Sequence, residues 1–472
     1  MTDKMHLALN TILNAAGIDP AIARDLEMSG SDPVLPTRFL LGTAGAAAIG
    51  AVGIAANELW KLKGGQSQDI KIDARRGAMA MRSNLYLKLD GEYAGRLWGD
   101  ISGFYETADQ RRVQLHCNYP HHRDGVLRVL DCENDKDHVK AAVAKWQGQE
   151  LDQRLADAGL CAALVRSSEE WQNLPQSNAV ASLPLLEITK IGDSAPEPLP
   201  EGPQPLSGIR ALDLTRVLAG PVAGRTLAEH GADVMRISSP HLPFVESLLM
   251  DTGHGKLTAH VDLATEQGKA TLTGLIKGAD VFSQAYRPGT LTRRGFGPQD
   301  VARLRPGIIY LTLSAYSHEG PWAMRRGYDS LVQSASGIVD EHSAPGSTAH
   351  LPGQVLDYAS GYLGAFGVMT ALARRTREGG SYMVRLSLAQ TAHWLNSLGR
   401  AGSDTGGNLG GNDDPRRLPD PEMSSISDLL MDSATPWGRL THLAPVLKMS
   451  ETPPHWRRPT VPLGSHEPVW PS

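Results

Sequence analysis

The sequence predicts an α/β protein: a doubly wound parallel sheet accompanied by a second, smaller α+β domain. Three observations carry this. Residues 209–313 alternate short β-rich runs with helical segments, the pattern of parallel strands joined by crossover helices. Residues 100–185 mix helix and strand signals without that regular alternation. Between them, residues 193–206 (Asp-Ser-Ala-Pro-Glu-Pro-Leu-Pro-Glu-Gly-Pro-Gln-Pro-Leu) form a proline-rich linker, which reads as extended chain and a domain boundary.

In chain order, residues 7–30 place Leu7, Leu9, Ile12 and Leu13 at helical spacing, a short helical cap. Residues 43–63 read as a long helix ended by Gly64-Gly65. Ile70-Lys-Ile72 alternates as a strand does. Residues 113–116 form a strand, residues 136–159 one or two amphipathic helices, and residues 162–165 another strand. Beyond the linker, a strand at 209–214, a helix from Ala219 to about His230 and a strand at 233–237 make a β-α-β unit. A helix at 270–276 and strands at 280–283 and 307–313 continue it. Residues 359–377 form a second long Gly/Ala-rich helix, followed by Gly379-Gly380 and a strand at 384–388. Helix, glycine pair and strand therefore occur twice, and aligning the glycine pairs sets Gly42 opposite Asp357. Residues 401–422 are a Gly/Asp/Asn/Pro loop, and the tail from Pro436 to Pro471 is proline-rich without strong periodicity.

Composition narrows the function class. The chain has 472 residues, 41% hydrophobic and 21% charged, with a formal net charge of −5. This fits a globular enzyme or binding protein with a sizeable core, and the absence of a Lys/Arg run argues against nucleic acid as a partner. Three scattered cysteines, Cys117, Cys132 and Cys161, supply no disulfide framework and fit a reducing, cytoplasmic setting. The N-terminus lacks the basic-then-apolar order of a signal peptide. Phe39 to Ala56 is uncharged and about long enough to cross a bilayer. It is Ala/Gly-rich and followed at once by Asn57-Glu58, so it reads as a buried helix with no membrane partner.

The first β-α-β unit lacks G-x-G-x-x-G, and its second strand ends in Ser238-Ser239 where a dinucleotide site needs an acid. His254-Gly-Lys256 lacks P-loop spacing. His116, Cys117, His121 and His122 cluster, yet the spacing matches no zinc signature, so no metal is expected. Arg287, Arg293 and Arg294 lie in a turn-rich stretch, where guanidinium forks would suit a phosphorylated ligand or simply face water. Asp357 precedes the second long helix, a place that suits both a helix cap and a stabilised carboxylate nucleophile.

Residues 205–221 (Pro-Leu-Ser-Gly-Ile-Arg-Ala-Leu-Asp-Leu-Thr-Arg-Val-Leu-Ala-Gly-Pro) resemble the opening of the family III CoA-transferases (the CaiB/BaiF type). That group includes formyl-CoA and carnitine-CoA transferases, with α-methylacyl-CoA racemases as relatives. The resemblance continues through Gly231-Ala-Asp-Val, Gly255-Lys256, Val261-Asp-Leu263, Tyr286-Arg-Pro-Gly289, Gly320-Pro321, Gly327-Tyr-Asp329 and Asp357. It implies a Rossmann-like fold and an acyl-CoA:carboxylate CoA-transferase in which Asp357 attacks the thioester. The intermediates would be a mixed anhydride and then an aspartyl-CoA thioester. It also implies that Val217, Leu218 and Ala219 lie along CoA and that Arg293 approaches its phosphates. Arg326 and Tyr328 would stand near the reacting centre and Val261 on the adenine side. No tightly bound cofactor is implied; coenzyme A enters as part of the substrate, with a carboxylic acid as acceptor.

Ser238-Ser239 replaces an acidic pair common in the family, and Ala285 replaces an asparagine. These departures leave a CoA-binding protein of weak activity as one alternative. A racemase is another, although Tyr328 stands where racemases carry a histidine and two acid/base groups are needed. The order of parts is also unusual. Residues 1–98 resemble a partial second copy lacking the nucleophile. Residues 99–192 resemble the small α+β domain that usually follows the nucleotide fold. The linker 193–206, the Rossmann-like CoA-binding domain 207–400 and the loop and tail 401–472 complete the chain. The resemblance implies a homodimer, and the partial copy could supply in cis what a partner's small domain supplies elsewhere, without the family's interlocking.

Overall fold

The computed structural model describes residues 2–95, 97–402 and 414–471. Of the loop expected over 401–422, residues 403–413 lie outside the described residues. The centre is a seven-stranded sheet. In chain order its strands are β1 (Glu187–Gly192), β2 (Arg210–Asp213), β3 (Asp233–Ser238), β4 (Lys256–His260), β5 (Val281–Gln284), β6 (Ile309–Ser314) and β7 (Ser381–Ser387). The sheet order is β4-β3-β2-β5-β6-β7-β1. All neighbours are parallel except β7 and β1, which pair antiparallel. Strand order reverses between β2 and β5, and in doubly wound sheets ligands bind outside the carboxyl ends of the strands at that switch. The expected fold class is therefore present, with smaller mixed and antiparallel sheets around it. Strand β1 precedes the proline-rich segment, so the large sheet draws strands from both sides of it. Glu197 within that segment pairs with Arg305 at 2.6 Å.

The smaller α+β region is built on an antiparallel sheet of Gly103–Glu106, Arg112–Leu115 and Ala162–Leu164. Helices Pro120–Leu130, Lys136–Val143 and Gly148–Asp157 cover it. Its apolar core includes Val113, Leu115, Val126, Val139, Leu151 and Leu155, all fully buried. A buried ion cluster fastens it to the large domain. Asp152 lies 2.8 Å from Arg166 and also pairs with Arg325.

The two long helices are Leu41–Leu62 and Val355–Glu378, and they pack against each other in one core. Glycine makes close approach possible on both. A Cβ at Gly45 would sit 2.3 Å from the Gly77 carbonyl oxygen, and one at Gly361 would sit 2.6 Å from Val222. Among the described residues no helix is long and apolar enough to cross a membrane. Some expectations are corrected. The tail is not patternless: Gly438–Leu443 pairs with Leu430–Thr435 and with Lys88–Leu89, and Lys448–Met449 pairs with Ile70–Asp73. The N-terminal region holds a helix, Thr2–Ala15, and a strand, Leu26–Ser29, parallel to Ile70–Asp73. The second long helix starts at Val355 rather than 359, which puts Asp357 inside its first turn.

Candidate active site

A cavity of about 310 Å³ opens at the carboxyl ends of β2 and β5, at the switch point. After β2 the chain supplies Leu214 and residues 216–220, and after β5 it supplies residues 285–288 and Thr290. The end of β6, residues 313–315, and the loop residues 325–328 form another wall. Tyr119, His121, His122 and Cys161 enter from the smaller α+β region, and Asp357 lies in the floor.

The turn after β2 is strained. Val217 has φ 71°, a left-handed conformation that a β-branched residue rarely adopts and that collects at functional sites. It leads directly into the helix Ala219–Glu229, whose Ala219 N–H favours the ionised form of the Asp357 carboxyl. Beneath this helix, buried Lys256 lies 2.8 Å from Asp213 and donates to the Pro221 carbonyl at 2.7 Å. The first turn of the helix is thus anchored from below. Burial drives the Lys256 ammonium down to about 8 even beside Asp213.

Asp357 is buried. Its helix has no side-chain cap of its own at Gln354. Asp329 caps it from outside: its Oδ2 accepts from the N–H groups of Leu356 (2.7 Å) and Asp357 (3.0 Å). Gln333 donates to the other oxygen of Asp329. Two acids therefore share one buried helix start. Burial first, and then the charge of Asp329, raises the Asp357 carboxyl well above the usual range, while the Ala219 N–H pulls it down. Burial also pushes Asp329 up to about 7, against the N–H groups it accepts.

The first long helix repeats this device. Asp32 accepts from the N–H groups of Gly42 (2.9 Å) and Thr43 (2.8 Å). Counted from the helix starts, and from the N–H groups that each acid accepts, Thr43 rather than Gly42 stands opposite Asp357. Thr43 thus carries a hydroxyl where Asp357 carries a carboxyl, and Gly42 lets Ala74 approach: a Cβ there would lie 2.7 Å from the Ala74 carbonyl oxygen.

Arg326 reaches His122 Nε2 at 3.0 Å. Burial, helped by His121 and Arg326, holds the His122 imidazole down to about 3, so it is neutral and accepts this bond. Tyr328 stacks on His116 with ring centres 4.2 Å apart, and burial keeps its phenol protonated. Arg325 shares Asp152 with Arg166, whereas Arg216, Arg287 and Arg326 have no ion pair among the described residues. Burial, Arg326 and Arg293 make the Arg287 guanidinium a weaker base than usual, so cationic charge is concentrated at this mouth.

Of the residues singled out in the sequence, Val217, Leu218, Ala219, Arg287, Arg326, Tyr328 and Asp357 line this cavity. Val261 is buried just beyond β4, in the core on another side of the sheet. Arg293 and Arg294 are exposed on the Thr292–Arg294 turn, where Arg294 donates to the Leu263 carbonyl at 2.9 Å, and neither lines the cavity. Asp329, Arg216 and Tyr119 were not singled out. Asp329 was visible in Gly-Tyr-Asp, but its capping role spans 28 positions. Among the described residues no group of three or more His, Cys, Asp or Glu is placed to hold a metal ion; His121 and His122 line the cavity.

Residues 206–420 match the family described as CoA-transferase family III. Related proteins include an acetyl-coenzyme A transferase, nodX, of Hypoxylon pulicicidum, 32% identical over 62% of this chain and 54% of its own. An acyl-CoA transferase of Gibberella moniliformis is 31% identical over 61% of this chain and 55% of its own. A succinyl-CoA:glutarate CoA-transferase of Mus musculus is 31% identical over 39% of this chain and 45% of its own. The chain spans about half the length of these curated relatives. Within the matched segment lie Asp357, its cap Asp329 and the strained Val217.

Proposed function

We propose that the protein is an acyl-CoA:carboxylate CoA-transferase with Asp357 as nucleophile. The observation that supports this best is a buried carboxyl at two converging helix starts, in a cavity rimmed by Arg216, Arg287 and Arg326. The helix dipoles and the Ala219 N–H stabilise charge at that point. A carboxyl raised by burial is a stronger nucleophile once ionised, and the rim cations suit the phosphates of CoA.

In the first step the Asp357 carboxylate adds to the thioester carbonyl, and the carbon–sulfur bond breaks. The products are an acyl-aspartyl anhydride and CoA thiolate. The thiolate then attacks the aspartyl carbonyl and releases the acyl group as a free carboxylate, leaving an aspartyl-CoA thioester. The acceptor carboxylate attacks that thioester, forming a second anhydride and freeing the thiolate. Attack of the thiolate on the acceptor's acyl carbon yields the new acyl-CoA and restores Asp357. Tyr328, protonated, and Arg326 are the donors nearest the reacting carbonyl in this reading. Burial excludes the water that would hydrolyse either anhydride.

The same reading treats residues 1–98 as a partial second copy and the region 99–192 as a small domain serving this site within one chain. It also places the protein in the cytoplasm as a homodimer that does not need interlocked chains. The deciding experiment incubates the protein with a panel of acyl-CoAs, traps with hydroxylamine or borohydride, and maps the adduct by mass spectrometry. Modification at Asp357, lost in Asp357→Ala, is expected. CoA binding with no modification by any donor refutes the proposal.

A further inference from the structure

A second recess, of about 30 Å³, lies beside Asp357. The two spaces share Tyr119, Val217, Leu218, Tyr328 and Asp357, so the carboxyl stands at their junction. The walls differ in chemistry. The main cavity carries the cations Arg216, Arg287 and Arg326. The recess is walled by Leu97, Trp98, Val245 and Leu248, and its described residues include no cation. Its ionisable members are Asp329 and Asp357, the phenols Tyr119 and Tyr328, which burial keeps protonated, and His116, which burial holds down to about 4 and hence neutral.

We infer that this recess receives the acyl group of the substrate, and that it takes short, apolar, uncharged chains whose length Trp98 sets. The inference rests on the transferase reading of Asp357. Attack on a thioester puts sulfur and the acyl chain on different sides of the carbonyl carbon. With the anionic CoA moiety in the cation-lined cavity, the chain points into the recess. There a second carboxylate would be buried beside Asp329 with no cation in the wall to pair it, which disfavours dicarboxylic acyl groups. The space holds about two water-sized groups, which corresponds to a chain of about two to four carbons. Trp98 closes the outer end. Its indole lies flat against His350, with centres 5.6 Å apart and planes 7° apart, while remaining 37% exposed. It is therefore the wall between the recess and solvent.

The test measures kcat/KM for acetyl-, butyryl-, hexanoyl-, octanoyl- and succinyl-CoA with one fixed acceptor, on the full chain, alongside adduct mapping at Asp357. The wild type is expected to favour acetyl- and butyryl-CoA. Octanoyl- and succinyl-CoA should each be slower than butyryl-CoA by about ten-fold or more, the scale of discrimination that a fitted pocket achieves. Trp98→Ala should raise the octanoyl-to-acetyl ratio by about ten-fold. If that variant does not fold, Val245→Phe provides the opposite perturbation and should lower the butyryl-to-acetyl ratio. Preference for succinyl- or octanoyl-CoA in the wild type overturns the inference, as does a chain-length profile that neither variant moves, even with Asp357 labelled. Absence of any Asp357 adduct despite CoA binding overturns the transferase reading and this inference together.

Discussion

Substituting Gly361 by alanine tests whether the start of the Ala219–Glu229 helix must touch Asp357. Gly361 lies one turn beyond Asp357 on the same helix. A Cβ there would stand 2.6 Å from the Cβ and Cγ1 of Val222 and 2.7 Å from the Ala219 carbonyl oxygen. Ordinary contact begins near 3.4 Å, so the neighbouring helix must retreat by about 0.8 Å. Overpacking of this kind costs about 1–3 kcal/mol. The gain in helix propensity over glycine returns about 1 kcal/mol, so the net loss of stability is small. The effect on chemistry is larger, because the retreat carries the Ala219 N–H away from the carboxyl it serves. A misplacement of about 1 Å near a reacting centre costs on the order of 100-fold in rate. Urea unfolding and single-turnover acylation of Asp357 would be measured together. Acylation within two-fold of wild type, with the expected stability loss, would refute the idea that this helix start is part of the machinery.

Three further outcomes are expected. Attack needs an ionised Asp357, so kcat/KM falls as pH drops through a value raised by burial and Asp329; Asp329→Asn keeps an oxygen for the helix cap but removes the charge, and should move this acid limb to lower pH. Asp152→Ala leaves Arg166 and Arg325 buried without their acid and should cost about 3–5 kcal/mol in urea unfolding. In the wild type, Arg325 and Arg166 outweigh burial and hold the Asp152 carboxyl below its ordinary range, so this stabilisation is present at neutral pH and is lost as pH falls through the lowered value. Gly45→Ala should lower the melting temperature by forcing the Gly77 backbone away, while kcat per folded molecule stays unchanged.

Strands such as β2, β3 and β6 were legible to within about two residues, because each is a short buried run bounded by turns and followed by a helix. What the sequence concealed depends on distant partners. The strand Gly438–Leu443 is local sequence of weak pattern until Lys88–Leu89 pairs with it. Strand β1 gains its place from β7. The helix at Val355 begins earlier than its glycine-rich run suggests because Asp329, far back in the chain, receives its first N–H groups. The same distance hid the site's second acid. Asp357 and the loop around Val217 could be read from motifs, since those motifs are contiguous. Tyr119 and His122 could not be joined to them by any spacing rule, because their position follows from how the smaller region docks. Val261 and Arg294, grouped with the site by their motifs, lie outside the cavity wall, just beyond β4 and on the 292–294 turn, while Arg293 stands close enough to Arg287 to act on its charge from beyond that wall.

One polypeptide contributes Tyr119, His121 and His122 to one wall of the cavity and Asp357 to its floor. The meeting of these parts is therefore an intramolecular event, governed by the effective concentration that a tether imposes, on the order of millimolar, rather than by how much protein the solution holds. Dilution that would separate independent subunits leaves these walls together. A protease cut in the exposed stretch around Glu201 would remove only the covalent tether; the two halves would then stay joined through the pairing of β1 with β7 and the ion cluster at Asp152.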